Sequence, residues 1–281
     1  MMNIDSTFML NNGIKMPVIG FGTNVLQGPS GINDIQIALE AGYRLIDTAQ
    51  SYGNEAEVGK AIAASPIPRD EIFVTTKITD ENQGYQLTID SFNASLEKLR
   101  MDAVDLLLIH WPNVENFDIS IETWKALIKI HEQGKAKAIG VSNYTPELIQ
   151  KTIDATLVVP AVNQVEFHPF LFQEALLTYC KDQDIQIESY CPIARAKRTD
   201  TPVLQGLAKK YDKSPVQVIL RWHLDHGLVP IPRSTNPDHI KANTELFDFS
   251  LTTSEVAEMD GLDDNYRIVD PQKGAWNHLV E

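Results

Sequence analysis

Short apolar segments alternate with longer segments of helical periodicity along all 281 residues of this chain, and few folds accommodate such a pattern. The apolar segments have the length and composition of buried β-strands. Eight segments are predicted to be strands: Val18–Phe21, Arg44–Asp47, Phe73–Lys77, Val104–His110, Ala138–Ser142, Ala161–Val165, Gln186–Tyr190 and Leu228–Ile231.

The segments between these strands predict helices with recognisable ends. Two of them begin with a capping residue followed by proline, at Thr145-Pro146 and Ser214-Pro215. Three predicted helices end at a glycine, namely Gly42, Gly134 and Gly227. The predicted helices are Asn33–Ala41, Asn54–Ala64, Tyr85–Arg100, Ile119–Gln133, Pro146–Ala155, Gln173–Gln183, Pro202–Tyr211 and Pro215–His226.

Eight strands that alternate with helices predict a (β/α)₈ TIM barrel, formed as a single domain over residues 1–281. The segment FMLNNGIKMP predicts a β-hairpin around Asn12-Gly13 that closes the barrel bottom. The alternative is a doubly wound open sheet, which is favoured by a phosphate-binding glycine loop after the first strand. GFGTNV supplies Gly20 and Gly22, but Val25 stands where that loop has its third glycine.

The net charge of −14 argues against nucleic acid and anionic membrane surfaces as partners. Any anionic ligand therefore needs a local cationic pocket. The two cysteines, Cys180 and Cys191, have no paired-motif spacing, which favours reduced thiols. The N-terminal segment MMNIDSTFMLNNG has no signal-peptide pattern, and no apolar run is long enough to span a membrane. We therefore expect a cytoplasmic protein.

In a (β/α)₈ barrel the active site lies at the C-terminal ends of the strands. There, successive strands of this chain deliver ionisable side chains: Asp47 with Tyr52 in the next loop, Lys77, and His110. Each of these residues taken alone has an ordinary structural explanation. Four of them in succession, where apolar or turn residues would serve folding better, indicate a catalytic site.

These four groups together suit proton donation to a carbonyl oxygen. A nearby ammonium would lower the pKa of the Tyr52 phenol from about 10, and Asp47 would hold the Lys77 charge in place. A neutral His110 can donate a hydrogen bond to the carbonyl oxygen. Side chains cannot deliver the hydride that must reach the carbon, so this chemistry implies a nicotinamide cofactor.

The remaining strand ends suit such a cofactor. Ser142, Asn143 and Gln164 are neutral hydrogen-bonding groups that match a carboxamide, and Tyr190 offers a ring face for stacking. A cation and two hydroxyl groups precede a predicted helix start, at Arg233, Ser234 and Thr235. These groups together with a helix N-terminus suit a phosphate group.

The motifs GFGT, IDTAQSYGNEAEVG, TTKI, LLIHWP, IGVSNY, NQVEFHP and IPRSTNPDHIKAN, in this order, resemble the aldo-keto reductase family. The resemblance covers essentially the whole chain, up to the RIVDP segment at Arg267–Pro271, and is strongest to bacterial members that reduce 2,5-diketogluconate and methylglyoxal. It implies a monomeric, NADPH-dependent carbonyl reductase. By the same resemblance Tyr52 is the general acid, Lys77 tunes the pKa of Tyr52, Asp47 partners Lys77, and His110 orients the carbonyl.

The resemblance also implies which residues bind the cofactor. That set is Gly22, Thr23, Asp47, Ser142, Asn143, Gln164, Tyr190, Arg233, Ser234, Thr235, His239 and Asn243. Many family members carry a lysine and then an arginine in the phosphate clamp, where this chain has Arg233 and His239. A histidine is mostly neutral at pH 7, so NADH is expected to serve as a weaker alternative cofactor.

Two further departures concern the predicted substrate pocket, which comprises Asn24, Thr79 and Trp111. Asn24 stands where many members have a large aromatic residue, and Lys77-Ile78-Thr79 lacks their tryptophan. Both differences reduce the apolar surface of the pocket wall, so they favour small polar substrates over bulky aromatic ones.

Three other functions remain open from the residues alone. A cofactor-sensing subunit of a larger assembly would bind NADPH without turnover. A metal-assisted hydrolase would need close-spaced ligand pairs, and of the seven histidines only His168, near Glu166, approaches one; no metal is expected. A retaining glycosidase would need two carboxylates about 5 Å apart, with Asp47 and Glu166 as candidates.

Overall fold

The computed structural model describes residues 2–269. Its N-terminal segment forms an antiparallel hairpin of β1 (Thr7–Met9) and β2 (Lys15–Pro17). Leu10 and Met16 of this hairpin are buried among the interior side chains of the barrel. The Asn12 side chain donates a hydrogen bond to the Lys137 carbonyl, close to the start of a barrel strand. The hairpin thus covers the N-terminal end of the barrel, as predicted.

Eight parallel strands form the barrel wall in sequence order. They are β3 (Phe21–Gly22), β4 (Leu45–Asp47), β5 (Phe73–Ile78), β6 (Val104–Ile109), β7 (Ala136–Ser142), β8 (Val162–Glu166), β9 (Gln186–Tyr190) and β10 (Val229–Pro230). Hydrogen bonds from Gly20 N to Pro230 O (3.0 Å) and from Gly22 N to Pro232 O (3.1 Å) join the first strand to the last. The sheet is therefore closed, which confirms the (β/α)₈ barrel and rules out the open-sheet alternative.

Helices connect the strands and surround the barrel. They are α1 (Gly28–Glu40), α2 (Glu55–Ala63), α3 (Tyr85–Leu99), α4 (Phe117–Glu132), α5 (Pro146–Thr156), α6 (Glu174–Asp182), α7 (Pro202–Tyr211), α8 (Pro215–Asp225), α9 (Pro237–Ala242) and α10 (Thr253–Asp260). Thr145 and Ser214 cap α5 and α8 through their side chains, as predicted. The three glycines expected at helix ends all have positive φ, between 73° and 102°.

The predicted element boundaries needed three corrections. The first strand ladder covers Phe21–Gly22 and not Val18–Phe21, although Val18 is fully buried. Helix α1 begins at Gly28, five residues before the predicted start, because a proline occupies its first turn. Helix α10 was not predicted, and its sequence signal is the capping box between Thr252 and Glu255.

The barrel strands carry two sets of side chains that point in opposite directions, because alternate residues of a strand face opposite sides. On β6, Leu106 and Leu108 belong to the interior cluster with Leu45 and Phe73. The intervening Leu107 packs in the larger cluster between the strands and the helices. With both faces covered, β6 is buried at every position. No helix in residues 2–269 combines the length and apolar character needed to cross a bilayer.

Candidate active site

A buried ion pair lies at the C-terminal ends of β4 and β5. Lys77 Nζ is 2.7 Å from both carboxylate oxygens of Asp47 and donates a third hydrogen bond, of 2.9 Å, to the carbonyl of Thr48. The Lys77 side chain is fully buried and that of Asp47 nearly so. Burial raises the pKa of Asp47, and the Lys77 ammonium opposes that rise. The two side chains hold each other in one fixed geometry, as the sequence predicted.

Tyr52 lies beside this pair, at the end of a 3₁₀ turn formed by Gln50–Tyr52. The Lys77 ammonium is 5.1 Å from the centre of the phenol ring. The sequence predicted that Lys77 lowers the pKa of Tyr52, whereas the net shift of this pKa in the structure is upward. Burial raises the pKa of Tyr52 well above 10, and the nearby acidic groups, led by Asp47, add to this rise. Tyr52 is therefore a protonated phenol at neutral pH.

His110 follows β6 and lies against Tyr52, with ring centroids 5.7 Å apart in an edge-to-face arrangement. Burial, followed by the charge of Lys77, lowers the pKa of His110 well below 6.5. The imidazole is therefore neutral at pH 7 and can donate one hydrogen bond from a ring N–H. The predicted set of four residues thus converges at one place.

Neutral polar side chains line the other side of the same barrel end. The hydroxyl of Ser142 donates to the Gln164 carbonyl (2.8 Å), and Asn143 Nδ2 donates to the His110 carbonyl (3.0 Å). Tyr190 donates its hydroxyl hydrogen bond to Asn143 Oδ1 (2.8 Å), which fixes the orientation of the tyrosine ring. Two amides, a hydroxyl and an oriented aromatic ring therefore lie within one hydrogen-bonded group.

Glu188 is a buried carboxyl group next to this site that the sequence analysis did not identify. Gln164 Nε2 donates to Glu188 Oε2 at 2.5 Å and to Asp47 Oδ2 at 2.8 Å. Burial and the charge of Asp47 raise the pKa of Glu188 to about 8. A sequence signal was present, because Glu188 stands two residues before Tyr190 on β9 and so faces the same side of the strand.

A cavity of about 330 Å³ opens over these residues. Its wall includes eight of the predicted site residues, namely Gly22, Asp47, Tyr52, His110, Asn143, Gln164, Tyr190 and Arg233, together with Asn24 and Trp111 of the predicted substrate pocket. A Cβ atom at Gly22 would lie only 3.0 Å from the Ile231 carbonyl oxygen, so a glycine suits this position.

Several predicted residues lie outside the cavity wall. Thr79 is buried and donates its hydroxyl hydrogen bond to Glu81, so the structure does not place it in the substrate pocket. Thr23 and Ser142 are buried behind the wall, where Thr23 donates to the Asp47 carbonyl (2.8 Å). The other predicted cofactor residues lie on α9 or directly beside its ends: Ser234 and Thr235 come before it, His239 is within it, and Asn243 follows it.

A second arginine accompanies Arg233 on the cavity wall. Arg195 belongs to the loop after β9, in which Ala194, Arg195 and Ala196 all have φ near +50°. Three consecutive residues of this kind are uncommon outside glycine. The cavity therefore has two guanidinium groups at its edge, although the chain as a whole is acidic.

The features required by the two hydrolase alternatives are not assembled in the described part of the chain. Residues 2–269 contain no group of three His, Cys, Asp or Glu side chains that could hold a metal ion. The Glu166 carboxylate is occupied by the backbone N–H groups of Ile268 and Val269 and lies 3.1 Å from His168 Nε2. It is therefore not a free partner for Asp47 in glycoside hydrolysis. His278 and the last two residues of the RIVDP motif lie outside the described residues.

A family model described as "Aldo/keto reductase family" matches residues 18–264. The chain belongs to the aldo/keto reductase family. It is 41% identical over 267 residues to glyoxal reductase from Bacillus subtilis, covering 95% of this chain and 96% of the relative. The crystal structure of an aldo/keto reductase from Brucella melitensis superposes with a TM-score of 0.89 at 42% identity, covering 92% of this chain and 99% of the other.

A third similar structure contains a cofactor. The aldo-keto reductase of Bombyx mori, crystallised in complex with NADP, has a TM-score of 0.89 and 34% identity, with 97% of each chain covered. As an aldo/keto reductase, the present chain is an NAD(P)H-dependent oxidoreductase that acts on carbonyl groups.

Proposed function

We propose that this aldo/keto reductase uses NADPH to reduce the carbonyl groups of small polar substrates to alcohols, with 2,5-diketogluconate, methylglyoxal and related aldehydes and ketones as the substrate class. The observation that carries the proposal is that Asp47, Tyr52 and His110 line one cavity, with Lys77 buried behind the wall against Asp47 and Tyr52. The reaction needs a proton donor at the carbonyl oxygen and a hydride donor at the carbon.

The four side chains have complementary roles in this proposal. Tyr52 gives its proton to the carbonyl oxygen as negative charge develops there. The neutral imidazole of His110 donates a hydrogen bond to the same oxygen and orients it. Lys77, held by Asp47, places a positive charge close to the phenol and stabilises the phenolate that remains after proton transfer.

The polar side of the cavity fits a nicotinamide. When bound, this cofactor supplies the hydride. Asn143 and Gln164 offer amide groups to the carboxamide, with Ser142 behind them, and the ring of Tyr190 provides a flat stacking surface. Asn143 Nδ2 also donates to the Ser142 hydroxyl at 3.1 Å, which ties these two side chains together. The NADP complex of the Bombyx mori relative supports NADPH as the cofactor.

The substrate class is supported by Asn24 and by one relative. Asn24 contributes an amide to the cavity wall where many family members have a bulky aromatic ring. The Bacillus subtilis relative is named for its reduction of glyoxal, a small dicarbonyl. A small polar substrate matches a wall in which Asn24 and His110 accompany the apolar surface of Trp111.

Loss of nicotinamide absorbance with methylglyoxal, 2,5-diketogluconate and a simple aromatic aldehyde tests the proposal, with NADPH and then with NADH. We expect turnover with NADPH and higher kcat/KM for the polar dicarbonyls than for the aromatic aldehyde. An opposite ranking would contradict the substrate class. Tight NADPH binding without turnover of any carbonyl would indicate a cofactor-sensing protein instead.

Replacing Asn24 with tryptophan should add apolar surface to the cavity wall. We expect the ratio of kcat/KM for the aromatic aldehyde to that for methylglyoxal to rise roughly tenfold, which is a typical effect of added apolar contact. Thr79→Trp is the matched comparison, because Thr79 lies outside the cavity wall and belonged to the same predicted pocket. An unchanged ratio in Asn24→Trp would show that this position does not contact the substrate.

Arg233→Ala should weaken NADPH more than NADH, because only NADPH carries the 2′-phosphate that an arginine binds bidentately. Loss of a charge-assisted interaction predicts a roughly 10–100-fold weaker NADPH affinity and a much smaller change for NADH. Fluorescence titration measures both affinities, and the exposed Lys209→Ala on α7 serves as the control. An equal loss for the two cofactors would contradict the phosphate assignment.

A further inference from the structure

Gln164 connects two buried carboxyl groups through a single nitrogen. Its Nε2 atom donates to Asp47 Oδ2 and to Glu188 Oε2, while the Gln164 side chain also forms part of the cavity wall. Asp47 and Glu188 are 1% and 0% exposed, respectively. Because the amide nitrogen donates to both carboxyl groups, the amide oxygen is the Gln164 atom that could accept a hydrogen bond from a ligand in the cavity. Glu188 therefore helps to fix the face that Gln164 presents.

The protonation state of Glu188 sets the net charge of the buried cluster formed by Asp47, Lys77 and Glu188. With Lys77 charged and Asp47 ionised, the cluster is neutral when Glu188 is protonated and has one negative charge when Glu188 is ionised. The titratable groups that act on Glu188 come from β4, β5 and the 3₁₀ turn, as Asp47, Lys77 and Tyr52. The neighbouring strands β8 and β10 place the neutral residues Gln164 and Val229 beside it. Of these groups, Glu188 is the one poised to change charge near pH 8.

We propose that Glu188 is a positioning residue that controls, through its protonation state, the balance between reduced and oxidised cofactor in this site. The inference rests on the proposed function, because it takes the ligand of Gln164 to be a nicotinamide. The oxidised nicotinamide ring is a cation and the reduced ring is neutral. A negative charge on Glu188 therefore stabilises the oxidised cofactor, whereas the protonated acid does not.

The same charge acts on Tyr52. Glu188 is among the acidic groups that raise the pKa of the phenol. Ionised Glu188 therefore opposes the phenolate and weakens Tyr52 as an acid for carbonyl reduction. Below about pH 8 the protonated carboxyl group suits reduction, and above it the ionised group suits retention of the oxidised cofactor.

The test is the affinity of NADPH and of NADP⁺ measured by fluorescence titration at several pH values on either side of about 8, the pKa of Glu188. The ratio Kd(NADPH)/Kd(NADP⁺) is the informative quantity, because the phosphate groups and His239 affect both cofactors and cancel. In the wild-type protein we expect this ratio to rise about fivefold as Glu188 ionises, an effect typical of one added charge in a partly screened site.

Glu188→Gln removes the titration and retains an acceptor for Gln164, so its ratio should stay flat with pH. Glu188→Asp retains a carboxyl group, so its ratio should still rise. Glu122→Gln, an exposed substitution on α4, is the control for general effects of a lost carboxylate. A flat ratio in the wild type, or an equal rise in wild type and Glu188→Gln, would overturn the inference while leaving the proposed function intact. Failure of both cofactors to bind would overturn both.

Discussion

Tyr52→Phe is expected to lower the rate of carbonyl reduction by roughly 10²–10⁴-fold, the usual contribution of a general acid. The reason is that the two groups next to the phenol are poorly suited to replace its proton, since His110 is neutral and Lys77 is held by Asp47. The ring itself stays, so its edge-to-face contact with His110 is retained. NADPH affinity should therefore change little. Steady-state reduction of methylglyoxal and fluorescence titration of NADPH measure the two quantities.

Tyr85→Phe is the matched control for this substitution, because Tyr85 is 40% exposed at the start of α3. This control also removes a tyrosine hydroxyl, but at a position outside the cavity wall, so turnover should be unchanged. Near-normal turnover in Tyr52→Phe would contradict the assignment of the acid. A large loss of NADPH affinity would instead show that Tyr52 acts mainly through the cofactor.

Lys77→Met should reduce turnover by roughly 10²-fold or more, because the phenolate left by proton transfer loses the positive charge that lies 5.1 Å from its ring centre. It should also destabilise the fold. Removing one partner of a buried ion pair typically costs about 3–5 kcal/mol, since an uncompensated charge remains. Here that charge is Asp47, which should respond by binding a proton. Turnover and the free energy of unfolding are measured on the same preparation.

The double variant Asp47→Asn/Lys77→Met separates the two effects. It removes the isolated charge along with its partner, so much of the lost stability should return, while turnover stays low. Lys125→Met is the control, because its ion pair with Glu122 lies on the surface and contributes little. Recovery of turnover in the double variant would contradict the role of Lys77.

The alternation of inward- and outward-facing residues along the strands made most of the site predictable. On β4 and β5, inward-facing positions are apolar near the N-terminal end of the strand and charged near the C-terminal end. On β4, Leu45 is followed by Asp47, and on β5, Phe73 is followed by Lys77. The alternation of apolar and helical segments predicted the barrel. The last inward-facing positions of β4 and β5 predicted Asp47 and Lys77 as catalytic residues. On β9 the inward-facing position before Tyr190 is Glu188, so the same alternation identifies this residue.

Other properties depend on tertiary contacts that no local pattern encodes. The pKa of Tyr52 follows from burial and from the summed charges of several strands, so its direction could not be read from the presence of Lys77 alone. Thr79 was placed in the pocket by the resemblance to family members that have a tryptophan shortly after the catalytic lysine, but a 3₁₀ turn follows β5 here and the Thr79 hydroxyl donates to Glu81. Arg195 reaches the cavity through a left-handed loop that its alanine-rich sequence does not indicate.

Transfer of deuterium from NADPH labelled at the hydride position of the nicotinamide to methylglyoxal tests the central claim most directly. Mass spectrometry of the product alcohol shows whether the label has moved to the former carbonyl carbon. The account predicts that the label appears in the product with the wild-type protein and is reduced to trace amounts with Tyr52→Phe. An unlabelled product, or bound NADPH that never transfers its label to any carbonyl, would contradict it.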